Sequence, residues 1–326
     1  MAAQTRPVLA LDIGGTKLAV GVVTGDGITF GYRVEPTRRE EGPDAIIARL
    51  LRMGHEAIEQ AGLGPIAAVG ISSGGPLDAQ RGIILGPLNL PEWTYVPITD
   101  IVTVEFGVPA VLENDATAAM LGEFRYGAAR NADIALYLTL STGVGGGAIV
   151  HGALHRGAAG NGGEFGHLMV RPGGRRCTCG RLGCLEGYAS GTSIAVRARE
   201  AVSAAHAPSV LDALETIRAE DVVGAVLVGD EVATDIWNET TAIVGQAVTD
   251  LVNLFEPEVI VLGGGVTHAG DLLLDPVLRA VARDAMPPAA AAVRIEFAAL
   301  GDAVCVVGAA ARAFDYVDET QETTNA

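Results

Sequence analysis

The sequence predicts an α/β protein of two domains that pack across a cleft. Its 326 residues suffice for two separate cores. A strand, a glycine-rich turn and a second strand occur near the start and again after Tyr137, one copy per domain. Stretches with helical apolar spacing lie between the strands, and no Pro/Ser-rich linker separates the halves.

The run VLALDI, residues 8–13, is β-rich and ends at Gly14 and Gly15, and LAVGVV, residues 18–23, follows at once. Apolar runs on both sides of a glycine turn predict a hairpin rather than a strand entering a helix. Residues 44–61 carry Ile46, Ile47, Leu50, Leu51 and Ile58 at helical spacing. A strand over 67–72 leads into the turn Gly74-Gly75-Pro76. Another over 108–112 hands over to a helix over 115–124. The second copy of the opening pattern aligns Leu138-Thr139-Leu140-Ser141-Thr142-Gly143-Val144-Gly145 with Leu9-Ala10-Leu11-Asp12-Ile13-Gly14-Gly15-Thr16. The later region is mostly helical, with an apolar stripe of Ile236, Ile243, Val244, Ala247, Leu251 and Leu254. A strand over 259–262 stops at Gly263-Gly264-Gly265, and the tail DYVDETQETTNA reads as frayed.

Apolar residues make up 49% and charged residues 19%, a soluble globular balance. The net charge of −17 disfavours nucleic acid and anionic membrane as partners. Residues 134–155 carry no Asp, Glu, Lys or Arg. Their glycines, with Ser141 and Thr142, fit buried strands joined by a turn better than a membrane span. The apolar run before Asp12 is too short for a signal peptide, so a cytoplasmic setting is expected. There a structural disulfide is disfavoured.

Three glycine turns follow apolar strands: Gly14-Gly15-Thr16-Lys17, Thr142-Gly143-Val144-Gly145 and Gly263-Gly264-Gly265. Such turns let backbone N–H groups approach phosphate oxygens, and Thr and Lys add donors and charge. No GxxxxGK[ST] occurs, and the first two turns continue into strands, so neither a P-loop nor a Rossmann fingerprint applies. Each alone reads as a tight turn; three, with Asp12 ending the first strand, point to nucleotide binding. Asp115, in Glu113-Asn114-Asp115, sits at the N-cap position of a helix, as a plain cap or a general base. Cys177, Cys179 and Cys184 on a glycine-containing loop, with His167 ten residues upstream, suit either a zinc site or a redox or free-thiol site. Cys305, in AVCVVGAA, reads as a core residue.

In order, LALDIGGTKLAVGVV, ENDATAAMLGEFRYG, STGVGGGAIV, GGEFGH and CTCGRLGCLEGYASG resemble the ROK family of sugar kinases and repressors. Within it the likeness is to the zinc-containing bacterial glucokinases, and it covers residues 8–311. The resemblance implies the actin-like ATPase fold, two ribonuclease-H-like α/β domains around a cleft, divided as a small domain over 1–115 and a large one over 116–326. The C-terminal helix then packs back on the small domain.

The resemblance also implies roles. Gly14, Gly15, Thr16 and Lys17, and Thr142, Gly143 and Gly145, match the phosphate loops. Gly263, Gly264 and Gly265 match the adenosine wall, and Asp12 matches the carboxylate that holds Mg²⁺ through water. Asp115 matches the catalytic base. Gly75, Asn89, Asn114, Glu164, His167 and Glu186 match positions that bind sugar hydroxyls, with Asp115 at the same site. Cys177, Cys179, Cys184 and His167 match ligands of a structural Zn²⁺. Two departures stand out: Ser141-Thr142-Gly143 replaces a common Gly-Thr-Gly, and Leu88-Asn89-Leu90-Pro91 differs from the usual sugar-loop pattern.

The implied activity is ATP-dependent phosphorylation of the glucose 6-hydroxyl with Mg²⁺ by a cytoplasmic homo-oligomer, a dimer or tetramer. The same family includes N-acetylmannosamine, N-acetylglucosamine and mannose kinases and sugar-responsive repressors, and a non-catalytic sensor is a further alternative. Repressors carry an added helix-turn-helix before the first strand; here seven residues precede Val8. Losing a zinc thiolate is expected to harm sugar binding more than the ATP contacts of the glycine turns.

Overall fold

The structure, a computed structural model, describes residues 6–87, 90, 92–204 and 208–325. In chain order the elements begin β1 (Val8–Ile13), β2 (Lys17–Val23), β3 (Thr29–Pro36), α1 (Gly42–Ala61), β4 (Val69–Ser73), β5 (Leu77–Asp78) and β6 (Ile83–Ile84). They continue with α2 (Ile98–Phe106), β7 (Ala110–Asn114), α3 (Asp115–Tyr126), β8 (Ala135–Leu140), β9 (Val144–Val150), β10 (Ala153–Leu154), α4 (Glu186–Ala189) and α5 (Gly191–Ala204). The last are α6 (Ala219–Leu227), α7 (Glu231–Phe255), β11 (Val259–Gly263), α8 (Asp271–Asp284), α9 (Pro287–Ala292), β12 (Arg294–Phe297) and α10 (Val304–Asn325). Among the described residues, no helix is long and apolar enough to cross a membrane.

Two compact units emerge. The first holds the chain up to Asn131, Leu154–Gly162 and the residues from Ala298; the second holds Ala132–Ala153 and Gly163–Phe297. The expected division after residue 115 is therefore displaced. Helix α3 stays with the first unit because it packs against α10, where a β-carbon on Gly308 would collide with the Ala118 carbonyl.

The first unit is built on a sheet ordered β3-β2-β1-β4-β7. The expected hairpin is present: β1 pairs antiparallel with β2, then parallel with β4, which pairs parallel with β7. Strand alternation assigns the two faces of β1. Leu9, Leu11 and Ile13 join Ile46, Leu50 and Met53 of α1 in one core, whereas Val8 and Ala10 join Val306, Ala309 and Phe314 of α10 in another. Asp12 continues the α10-facing series. Strand β3 is absent from the sequence reading, although Phe30, Tyr32 and Val34 alternate along it. The tail is a correction too: α10 continues to Asn325. Arg125 of α3 pairs with Asp315 at 2.7 Å and reaches Asp318 at 3.8 Å, and Arg312 lies 3.6 Å from Glu319.

The second unit repeats the topology as β10-β9-β8-β11-β12, with β8–β9 antiparallel and β8–β11 and β11–β12 parallel. Residues 134–155 thus form strands. Leu136, Leu138 and Leu140 meet Ile243, Val244, Ala247 and Leu251 of α7 in one core. Leu254 leaves the expected stripe and is 72% exposed. Phe255 turns inward in its place and packs edge-on against Phe165, with centroids 6.0 Å apart.

Candidate active site and metal centre

In the first unit two carboxylates come together. Asp12, 8% exposed, accepts a 2.6 Å hydrogen bond from the Ser72 hydroxyl at the end of β4. Burial pushes its pKa up to about 7; Ser72 and Lys17 oppose the rise and the charge of Asp115 adds to it. Burial also raises Asp115 above the ordinary carboxylate range. The expected cap assignment is off by one: Asn114 caps α3, its Oδ1 accepting from the Ala116 and Thr117 amides at 3.0 and 3.2 Å. Asp115 is the first helical residue, with Oδ1 on the Ala116 amide at 2.8 Å. Capping through Oδ1 leaves the Asn114 Nδ2 with its N–H donors. A β-carbon on Gly75 would stand 3.7 Å from it, and one on Gly74 the same distance from Asp115 Oδ2. Asn89 lies outside the described residues.

Residues not singled out from sequence hold this corner. Glu113 is 2% exposed; its Oε1 accepts the Asn114 amide at 3.1 Å and its other oxygen pairs with Arg156. Buried Thr37 braces the first glycine turn: its amide donates to the Thr16 carbonyl at 3.0 Å and its hydroxyl to the Gly14 carbonyl at 2.7 Å. The turn closes through the Gly14 amide on the Lys17 carbonyl at 3.0 Å, and a β-carbon on Gly14 would lie 2.7 Å from that oxygen. Lys17 Nζ stands 3.7 Å from Asp302. Cys305, expected in the core, is only partly buried. Its sulfur lies 3.8 Å from the Asp115 carbonyl, and desolvation, with Asp12 and Asp115, raises its pKa.

In the second unit Ser141 and Thr142 are exposed at the β8–β9 turn. The Ser141 amide donates to the Gly143 carbonyl at 2.9 Å, and its own carbonyl accepts from the Gly191 amide at 2.7 Å. The Thr192 hydroxyl donates to the Thr142 carbonyl at 2.9 Å. Glu186 Oε2 accepts the Val144 amide at 3.0 Å, and a β-carbon on Gly143 would come within 2.8 Å of that oxygen. Gly145 lies inside β9 opposite Thr139. At the end of β11, β-carbons on Gly263 and Gly264 would collide with the Tyr137 hydroxyl and the Leu140 carbonyl, so those two glycines serve close packing onto β8. Gly265 has open space about it.

The GGEFGH segment docks on β9 through its glycines: Gly163 has φ +93°, and a β-carbon on Gly166 would collide with the Val144 carbonyl. This fixes the short turn Phe165–His167. Residues 176–182 fold back as a knuckle, with an isolated bridge between Arg176 and Leu182 and the Cys177 amide on the Arg181 carbonyl at 2.9 Å. One donor atom each from His167, Cys177, Cys179 and Cys184 lies within 4.8 Å of the others. Cys179 and Cys184 sulfurs are 3.8 Å apart, and His167 Nδ1 is 3.7 Å from the Cys177 sulfur. Tetrahedral zinc with Zn–S near 2.3 Å sets its thiolates about 3.8 Å apart, so the donor set fits. Burial pushes Cys177 up to about 12 and raises Cys184, while the Arg181 backbone lowers Cys179. His167 Nε2 lies on the opposite side, 3.8 Å from Glu164. Buried Arg197 fixes α4, donating to the Tyr188 and Ile236 carbonyls and the Thr240 hydroxyl and pairing with Glu239.

Comparison with known proteins matches residues 8–315 to the model of the ROK family. The glucokinase of Thermotoga maritima is 35% identical over 307 residues, 93% of this chain and 96% of the relative. The ROK hexokinase structure from Thermus thermophilus superposes with a TM-score of 0.80 at 35% identity, covering 96% of this chain and 99% of that one. A ROK family glucokinase from Streptomyces griseus, solved in complex with glucose and AMPPNP, gives 0.80 at 34% identity over 95% and 99%.

Proposed function

Because the chain belongs to the ROK family, we propose that it is an ATP-dependent glucokinase, transferring the γ-phosphoryl group of ATP to the glucose 6-hydroxyl. The observation that carries the reading is the pairing of buried Asp12 with partly buried Asp115, beside an Asn114 that caps α3 through its oxygen and keeps its amide N–H groups as donors. Asp115 accepts the proton of the attacking hydroxyl, and its raised pKa brings it nearer the working pH of a general base. Asn114, Gly75, Asn89, Glu164, His167 and Glu186 hold the sugar hydroxyls. Asp12 would hold Mg²⁺; a buried carboxylate protonating near 7 is one that a nearby cation would return to its ionised form. Mg²⁺, when bound, neutralises phosphate charge. Gly14, Gly15, Thr16, Lys17, Thr142, Gly143 and Gly145 line the phosphates, and Gly263, Gly264 and Gly265 the adenosine, with Gly265 offering the free room.

Cys177, Cys179, Cys184 and His167 hold a structural Zn²⁺, all four positions being protein. His167 then ligates through Nδ1, which fixes its tautomer and leaves Nε2 to the sugar. The proposed enzyme is cytoplasmic, which cell fractionation tests, and a homo-oligomer, which light scattering tests. The deciding experiment is an activity panel of sugars against donors, polyphosphate included, read as ADP or phosphosugar formed. Glucose with ATP is expected to give the highest kcat/KM. A better value on N-acetylmannosamine, N-acetylglucosamine or mannose reassigns the sugar, and ADP release indifferent to sugar removes the kinase reading.

A further inference from the structure

Glu186 is held at both ends. Its Oε1 accepts from the Thr178 hydroxyl at 2.6 Å and faces the Cys177 sulfur at 3.4 Å, while Oε2 accepts the Val144 amide at 3.0 Å. Thr178 sits between two of the knuckle's sulfur donors, Cys177 and Cys179, and Val144 ends the second glycine turn. We propose that Thr178 is a positioning residue: it anchors Glu186 to the metal knuckle, and Glu186 in turn sets the position of the glycine turn. The inference rests on the reading of the knuckle as a zinc site and of the turn as a phosphate loop.

The backbone makes Glu186 the partner that Val144 needs. The Ser141 amide bonds the Gly143 carbonyl across the turn, so strand alternation points the Val144 amide away from β8. The carboxylate has little latitude in meeting it. Its own backbone is pinned by the Ser193 hydroxyl on the Glu186 carbonyl at 2.7 Å, and Gly143 leaves room for no side chain beside Oε2. The Thr178 hydroxyl is exposed yet makes the shortest of the three contacts to the carboxylate. When Cys177 and Cys179 share an ion, Thr178 has no independent freedom, so metal occupancy is transmitted to the glycine turn without any contact between them.

The test uses the full chain without sugar or nucleotide. Thr178→Val keeps the shape and removes the hydroxyl. It is expected to retain zinc by metal analysis and to speed hydrogen exchange of the segment 141–146 about tenfold, as expected for losing a hydrogen bond to a charged group. Thr178→Ser should exchange as wild type does, and chelation of the wild type should reproduce the Val result. Should Thr178→Val shed its metal, Glu186→Ala decides, with the same faster exchange expected while zinc stays. Unchanged exchange at 141–146 in zinc-loaded Thr178→Val, or in Glu186→Ala, overturns the proposal. Faster exchange with an unaltered KM for ATP leaves the relay standing and removes the phosphate-loop reading instead.

Discussion

The two sheets share one strand order, yet their strand ends are equipped differently. In the first unit, β1, β4 and the β7–α3 junction end in Asp12, Ser72 and Asp115, a charged corner whose carboxylates are raised by burial. In the second, the matching ends of β8 and β11 carry Ser141, Gly263 and Gly264, with no carboxylate. Their bracing differs too. Thr37, just after β3, holds the first glycine turn through its amide and hydroxyl, whereas the second is held by Glu186 and the start of α5. The duplicated fold therefore carries different groups in its two copies: paired carboxylates at the strand ends of the first, glycines and a separate His/Cys cluster in the second.

Replacing the charge in the first copy is the most severe way to break this contrast. Asp115→Asn is expected to fold and bind glucose but to lose about 10²–10⁴-fold in kcat; retention of more than a tenth of the wild-type kcat would show that Asp115 is not the base. Next comes the anchor of the second copy. Cys179→Ser should lose zinc and raise the glucose KM about 10–100-fold, measured by metal analysis and steady-state kinetics. The sequence motifs alone imply that ATP contacts suffer less; the Glu186–Val144 bond ties the glycine turn to the knuckle, so the KM for ATP should rise alongside. Full zinc with normal kinetics would remove the assignment.

The third test is pH. Between 3.8 and about 7 the folded protein keeps a proton on Asp12 that the unfolded chain has released. Stability of the metal- and nucleotide-free protein should therefore fall as pH rises through that window and level off above it. Asp12→Asn should melt several degrees above wild type at pH 8, the excess shrinking toward pH 4. An excess that is constant with pH contradicts a raised Asp12. The smallest effect is expected at the other brace. Thr37→Val deletes one hydroxyl bond, about 1 kcal/mol, and should raise the KM for ATP a fewfold with the glucose KM unchanged.

What was legible in the sequence was local. The β1–β2 hairpin, α1, α3 and the repeat at Tyr137 follow from short-range periodicity and glycine placement, and the family's motifs imply the fold and the site residues. Strand β3 shows the alternation Phe30, Tyr32, Val34, but Gly31 and Pro36 weaken it as a strand signal. Asn114 and Asp115 are both good caps in adjacent positions, so only geometry separates them. The polar tail looked frayed because its support, Arg125, is 190 residues from Asp315. Sequence distance likewise hides Arg156 beside Glu113 and Thr37 over Gly14, while Thr178 meets Glu186 only because the intervening knuckle folds back on itself.

The return of α10 to the first unit has a consequence for biosynthesis. Val8, Ala10, Ala19, Val23 and Ala68 are covered by Val306, Ala309, Ala310, Ala313 and Phe314, which leave the ribosome after the whole of the second unit. At about 5–20 residues per second, the sheet made first waits on the order of 10–40 s for its second layer. Every residue of the second unit is made within that wait. The unit begun first is thus completed after the second, and until then this face of its sheet lacks its covering helix. A chain stopped short of residue 304 would keep the second unit's core whole and leave that sheet uncovered for good.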